Sequence, residues 1–174
     1  MALSLAIQGI LGNIVSGIVI LSTHPIQKGE YVSVGGVEGT VDSVGLVYTK
    51  LMTLDNKVVY VPNNEISTSK IVNFSRDGKR RVDFVFTASY DCNPEDVKAA
   101  LVKACNVPNL LEEEGVFVRV SDYKESNIEY TVRVWTKVET YWDVYFDVIG
   151  NVKNAYDADG IQFTYPHINV HMDK

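Results

Sequence analysis

Cysteine is scarce, basic charge is outnumbered, and the first 23 residues carry no charge at all. The two cysteines, Cys92 and Cys105, form no CxxC and have no histidine at metal-ligand spacing. This excludes a disulfide framework and reads as two reduced thiols, one of them buried. With 16 basic against 22 acidic residues, the formal net charge is -6. The chain therefore has no general attraction for nucleic acid, which calls for a basic surface. No Walker motif, GxGxxG, Ser-His-Asp set or paired-carboxylate signature is visible, so the sequence nominates no catalytic residues and an enzyme is not expected. What is present is ordinary for a folded chain: 46% apolar and 22% charged residues over 174 positions. That is room for one sizeable domain or two small ones.

The uncharged segment runs from Met1 to Thr23, and the first cation is Lys28. Its apolar run is long enough for a membrane-span candidate. A secretory signal would need a basic start, which is missing here. At about 100° per residue, Leu3, Ile7, Ile10, Leu11, Ile14, Ile18 and Leu21 share one side of a helix. Gln8, Gly9, Gly12, Asn13, Ser16 and Gly17 share the other. A helix surrounded by lipid has no use for Gln8 and Asn13, whose amides would be left unpaired. The small face suits close approach to another helix or backbone. Gly9, beside Gln8, is a candidate kink, and Pro25 stops the helix.

From Tyr31 to Val61 the period changes. β-Branched runs (YVSV, GTVDSVGLVYTKLMTL, KVVYVP) are broken by Gly35-Gly36, Gly39, Gly45 and Asp55-Asn56, which predicts a small barrel or strongly bent sheet. Asp55-Asn56 is a hairpin turn signal. Pro62-Asn63-Asn64 ends this block, and the best boundary is Ser75 to Arg81. Beyond it, strands are predicted over 81–88, 115–120 and 127–138. A helix starts at Asn93-Pro94-Glu95-Asp96, where a capping side chain, a proline and two acids follow in order. Val97, Leu101 and Cys105 give that helix its apolar stripe. A second helix spans about Tyr141 to Asp157 and stops at Gly160. A last strand, IQFTY, completes the order β-α-β-β-α-β of a ferredoxin-like α+β domain. The tail HINVHMDK reads as one more short strand.

Three stretches then resemble one known family in order and spacing: AIQGILGNIVSGIVIL with HPIQKGEYVSVGGVEGTV, VYVPNNEISTSKIVNFSR, and DGIQFTYPHINV. The chain resembles the bacterial small-conductance mechanosensitive channel family (MscS) over essentially its whole length, Ala2 to about Val170. The resemblance implies an α+β chain of four parts. Residues 1–23 would be the end of a pore-lining helix with an interfacial amphipathic helix, and 24–75 a small Sm-like β domain. Residues 76–164 would be a ferredoxin-like domain and 165–174 a strand of an axial barrel. It also implies a homoheptamer of identical subunits in the bacterial inner membrane, mostly on the cytoplasmic side. Its partners would be the lipid bilayer and permeating ions and small solutes; no cofactor and no nucleic acid are expected. By position, Leu5 matches a pore constriction, Gly9 the helix kink and Asn13 a contact facing the middle domain. His167 to Met172 matches the axial strand. Met1 stands where the family has a second constricting leucine, so we expect it to be an expression start. The first two spans and most of the third would then lie outside a chain cut to the cytoplasmic part, a natural fragment being the alternative.

The resemblance implies physical gating, in which an apolar ring dewets the pore and membrane tension opens it. Lys79, Arg80, Arg81 and Asp83 sit at the domain junction and are candidates for biasing ions at side portals; an ordinary solvated charge run is the alternative. His167, Asn169 and His171 share a strand face, a minor metal candidate against simple hydrogen bonding. Asp157-Ala158-Asp159-Gly160 lacks the glutamate of a calcium loop and reads as a helix end. The competing function is a soluble ring-forming Sm-like module that binds RNA or protein.

Overall fold

The computed structural model describes residues 2–165, with side chains from Ile7 onward. The chain divides into two compact units, 1–78 and 79–174. Each has its own apolar core.

The first unit opens with helix α1 (Ala2–Thr23). It ends where His24 turns into the left-handed region at φ 51° and donates its N–H to the Ile20 carbonyl at 2.9 Å. Strands β1 (Tyr31–Val34), β2 (Val37–Val44), β3 (Tyr48–Met52) and β4 (Val58–Pro62) follow as antiparallel neighbours. The β1–β2 hairpin has only Gly35 and Gly36 in its loop, at φ 58° and 77°. Two successive positive φ values are what a tight primed turn demands, and glycine meets them without strain. The β3–β4 turn falls at Asp55-Asn56, with Asn56 at φ 62° and its N–H donated to the Thr53 carbonyl. A bulge separates Val41 from Ser43 on β2 and bends the sheet there.

Two elements in this unit were not foreseen. The stretch after Pro62 forms a short helix, α2 (Asn63–Thr68), where the sequence had suggested only the end of a block. Val72–Asn73 then add a two-residue strand, β5, beside β1. Strand order is β4-β3-β2-β1-β5. Among the described residues no β4–β5 ladder closes the sheet, so of the two expected forms, a small barrel or a strongly bent sheet, the unit takes the second, an open five-stranded sheet. Val32, Val34, Val41, Leu51, Val61, Ile66, Ile20 and Ile26 form its core, every one buried.

The second unit comprises β6 (Lys79–Ala88), α3 (Pro94–Ala104), β7 (Phe117–Tyr123), β8 (Ile128–Lys137) and α4 (Tyr141–Ala158). The sheet order is β6-β8-β7, antiparallel throughout. Alternate residues of β8 (Ile128, Tyr130, Val132, Val134) face the helices, which bring Val97, Leu101, Val144, Val148, Val152 and Tyr156. Helix α3 starts as its sequence dictates: the Asn93 side chain accepts the Glu95 N–H at 3.0 Å, with Pro94 at the first turn. Helix α4 stops at Gly160, φ 68°, and the Ile161 N–H returns to the Tyr156 carbonyl at 2.8 Å. The β-α-β-β-α portion therefore matches expectation.

IQFTY does not. Residues 161–165 form no strand; a single hydrogen bond, from the Ser89 N–H to the Gln162 carbonyl at 3.2 Å, joins them to the end of β6. With Gly160 turning the chain and Ile161 buried, the segment crosses the end of β6 instead of pairing along it. The tail HINVHMDK, including His167, Asn169 and His171, lies outside the described residues. Among those described, no cluster of His, Cys, Asp and Glu is placed to hold a metal. Nor is any helix there long and apolar enough to cross a membrane, so α1 does not meet the span expectation.

Candidate functional site

The feature that most needs explaining is how α1 is seated. Among its described side chains, Ser16, Gly17 and Ile20 are buried, with Gly12, Asn13 and Ile14 half-buried beside them. Ile7, Ile10, Leu11, Val15, Ile18, Val19 and Leu21 are all exposed. The helix is thus largely turned inside out relative to an ordinary amphipathic surface helix: its small, polar side meets the protein together with Ile20, and most of its large apolar side chains face away.

Two contacts fix this orientation. First, Gly17 lies against the β2–β3 turn. A Cβ at this position would stand 2.3 Å from the Leu46 carbonyl oxygen and 2.6 Å from the Asn63 amide nitrogen. Any side chain here would force the Leu46 backbone to shift. Second, Asn13 reaches across to α2. Its side-chain oxygen accepts the Asn64 N–H at 2.9 Å, and its amide donates to the Gly9 carbonyl one turn back at 3.0 Å. The Asn64 N–H lies in the first turn of α2, where helix geometry leaves N–H groups without a partner inside the helix; Asn13 supplies one from 51 positions away.

Asn63 is the anchor beneath both. It is fully buried, its Oδ1 accepts the Thr49 hydroxyl at 2.9 Å, and its Nδ2 donates to the Gly45 carbonyl at 2.9 Å. Its own N–H donates to the Val47 carbonyl at 3.0 Å. One asparagine therefore ties α2 to the turn on which Gly17 rests. Sequence reasoning saw Pro62-Asn63-Asn64 only as a terminator. The missed signal was two amides beside a turn carrying Gly45, an arrangement that offers donors to free backbone carbonyls.

A third fastening holds the C-terminal end of α1. Arg76 donates from Nε and Nη2 to the two carboxylate oxygens of Glu30, each at 2.9 Å, and from Nη2 to the His24 carbonyl at 3.1 Å. Glu30 also accepts the Gln27 N–H and the Asn73 amide, both at 2.7 Å. Burial pushes the Glu30 carboxyl upward, but the Gln27 N–H, the Arg76 guanidinium and Asn73 together outweigh it. The net effect holds it below the usual glutamate range.

Gly9 and Gly12 have open space where a Cβ would go, and α1 is a single helix through both. Leu5 lies on α1, but its side chain is outside the described residues, as is Met1. Above the α1–α2 junction a groove of about 680 Å³ is lined by Ile7, Gln8, Leu11, Gly12, Val15 and Asn64.

Of the four charged candidates on β6, the structure separates one from the others. Arg81 pairs with Asp83 (Nε to Oδ1 2.8 Å, Nη2 to Oδ2 3.1 Å) on the open sheet face, where Arg133 approaches the same carboxylate at 3.4 Å. Lys79 pairs there with Glu114 and lies over the Trp135 ring. Arg80 points to the other side, with its guanidinium 3.8 Å from the centre of the Tyr141 ring. Asp157 and Asp159 pair with Lys153 and Lys103 at the end of α4, as a helix terminus would. Cys105 is buried, and burial pushes its thiol up to about 12, which makes it unreactive.

Comparison with known proteins places this arrangement. Residues 9–76 match the family model described as the mechanosensitive ion channel beta-domain, and residues 81–163 that of the mechanosensitive ion channel MscS C-terminal domain. The chain is 40% identical over 174 residues to a small-conductance mechanosensitive channel of Edwardsiella ictaluri, spanning 99% of this chain and 60% of that protein. It is 34% identical over 175 residues to an uncharacterized MscS family protein of Buchnera aphidicola, of which it covers 62%. The chain thus spans about three fifths of the length of these relatives. Among solved structures, closed-state Helicobacter pylori MscS superposes with a TM-score of 0.92 at 26% identity, over 99% of this chain and 69% of that one. Arabidopsis thaliana MSL1 superposes at 0.77 with 23% identity, over 95% of this chain and 62% of that one, a likeness of fold.

Proposed function

Because this chain belongs to the MscS family of mechanosensitive ion channels, we propose that it is the cytoplasm-facing part and pore-helix end of a channel that opens under membrane tension in osmotic downshock. In this reading identical subunits assemble as a homoheptamer in the bacterial inner membrane, and ions and small solutes permeate. Residues 1–23 end the pore helix and lie along the membrane face. Residues 24–75 form the middle ring, 76–164 the vestibule wall and 165–174 an axial strand. Leu5 contributes to an apolar constriction that dewets when narrow, and Gly9 is the hinge between helix halves. Lys79, Arg81 and Asp83 present charge at the portals, while Arg80 acts from the helix side of the sheet.

The observation that carries this reading is the hydrogen bond from Asn64 N–H to Asn13. Tension acts on a helix whose greasy face meets lipid, and Asn13 passes that displacement to the sheet. A ligand-free gate of this kind works by shifting a two-state balance, and each state is weighted by the contacts unique to it. The test is electrical. The gene product carrying this sequence, reconstituted in liposomes, is expected to conduct when suction is applied to an excised patch. A patch that stays silent up to rupture overturns the proposal. Asn13→Ala is expected to move the half-activation pressure, since one lost hydrogen bond of about 0.5–1.5 kcal/mol acts in every subunit. An unmoved midpoint removes Asn13 from the coupling.

A further inference from the structure

On the open face of the second sheet two arginines converge on one aromatic ring. Phe117 on β7 sits directly opposite Arg133 on β8, and Arg119 is two residues along β7 on the same face. The Arg133 and Arg119 guanidinium carbons lie 5.3 and 5.4 Å from the centre of the Phe117 ring. Both charges thus share one ring, and since each lies within 5.4 Å of its centre their separation is on the order of a Debye length or somewhat more, so they are only partly screened from one another. Like charges this close on one sheet face repel.

Their neighbours neutralise them incompletely: Arg133 shares one carboxylate with Arg81, and Arg119 pairs with none among the described residues. Asp83, opposite Arg133, is already held by both nitrogens of Arg81, and Arg133 approaches it only at 3.4 Å. Arg119 donates to the Val118 carbonyl at 2.8 Å, and among the described residues no carboxylate pairs with it. A guanidinium carries five N–H donors, so both arginines keep donors for a further acceptor. Phe117 itself is 42% exposed. On a chain of net charge -6, an arginine without a carboxylate partner and a second that shares its carboxylate with Arg81, both around a partly exposed aromatic ring, form a local exception to the overall charge.

We propose that Arg119, Phe117 and Arg133 form a binding site for an oxyanion of the phosphate type, gripped by both guanidiniums. Arginine's planar fork matches phosphate geometry, and an anion between the two charges would convert their repulsion into two attractions. The ring and nearby Trp135, which is opposite Arg81, add a surface on which an organic phosphate could stack. This inference stands on the sheet of this chain and does not depend on the channel reading.

The test titrates inorganic phosphate into the full 174-residue chain at constant ionic strength, with chloride as the balancing anion. Binding is followed by the arginine side-chain N–H resonances. Those of Arg119 and Arg133 are expected to move together along one saturable curve, with those of Arg76 unmoved as an internal control. Arg119→Gln and Arg133→Gln are each expected to weaken binding by roughly tenfold or more, the scale of one charge-assisted hydrogen bond. A parallel titration with adenosine monophosphate separates the sources. Tighter binding than phosphate assigns the site to organic phosphates, and equal binding assigns it to the free ion. Shifts that do not saturate, or that persist undiminished in both variants, would reduce the effect to general screening and overturn the proposal. The resonance measurement on the unaltered chain decides the matter even if a variant folds poorly.

Discussion

At the scale of single residues, Gly17 and Asn63 carry the seat of α1. A methyl group at residue 17 would overlap the Leu46 carbonyl oxygen, which belongs to backbone and cannot rotate aside. Gly17→Ala is therefore expected to destabilise the first unit by about 1–3 kcal/mol, the range for overpacking a tight contact. This holds despite alanine's better helix propensity, worth only about 1 kcal/mol the other way. Urea denaturation measures it, and Gly12→Ala is the control, since open space surrounds that position; there propensity should prevail and stability should rise slightly. Equal effects at the two glycines would refute the argument. The sequence allowed a small helix face to be recognised, with Gly9 singled out as a candidate kink and Gly12 and Gly17 simply among its small residues. It could not single out Gly17, because the oxygen it meets comes from a turn 29 positions away in the chain, and only the folded sheet brings it there.

At the scale of elements, the Glu30–Arg76 fastening makes a statement about pH. The folded-state Glu30 carboxyl sits below its ordinary value near 4.5 because, against burial, its hydrogen bonds and Arg76 favour the charged form. A depressed acid stabilises the fold fully above its unfolded value, and that contribution is lost as pH falls through the folded one. The first unit should thus hold its stability above about pH 5 and lose part of it progressively below about 4.5. Glu30→Gln should be less stable than the parent at neutral pH, with the gap closing in acid, as thermal denaturation at several pH values will show. A gap that does not change with pH would mean the charge is immaterial. The elements themselves were legible to different degrees. Period-two runs marked β1 to β4 and β6 to β8, and Asn93-Pro94 marked the start of α3, since these signals are local. Helix α2 was missed because its six residues show no helical period, and its stability comes from Asn63 bonds to other elements. IQFTY has strand composition but lacks a partner ladder, and pairing is a property of the sheet that no run of residues can announce by itself.

At the scale of the whole molecule, the question is what covers the outer face of α1. Ile7, Ile10, Leu11, Val15, Ile18, Val19 and Leu21 are each between 46% and 59% exposed. They form a contiguous greasy stripe of a kind that water-soluble monomers rarely leave open. An interfacial helix solves this by lying in the lipid headgroup boundary, and sister helices solve it by packing together. Both follow from the same inverted seat, in which the polar side was used up on the protein. Binding to phosphatidylcholine vesicles is therefore expected for the 19.4-kDa chain. In detergent, native mass spectrometry should find a heptamer rather than a single copy. Ile10→Ser combined with Ile18→Ser should abolish vesicle binding while leaving the second unit's core intact, because among the described residues none of that core lies in α1. Circular dichroism of the variant checks that the fold survives. If the parent chain remains monomeric and indifferent to vesicles with its stripe exposed, the stripe has some other role. The seat built by Asn13, Gly17 and Asn63 would then orient the helix for something other than a membrane.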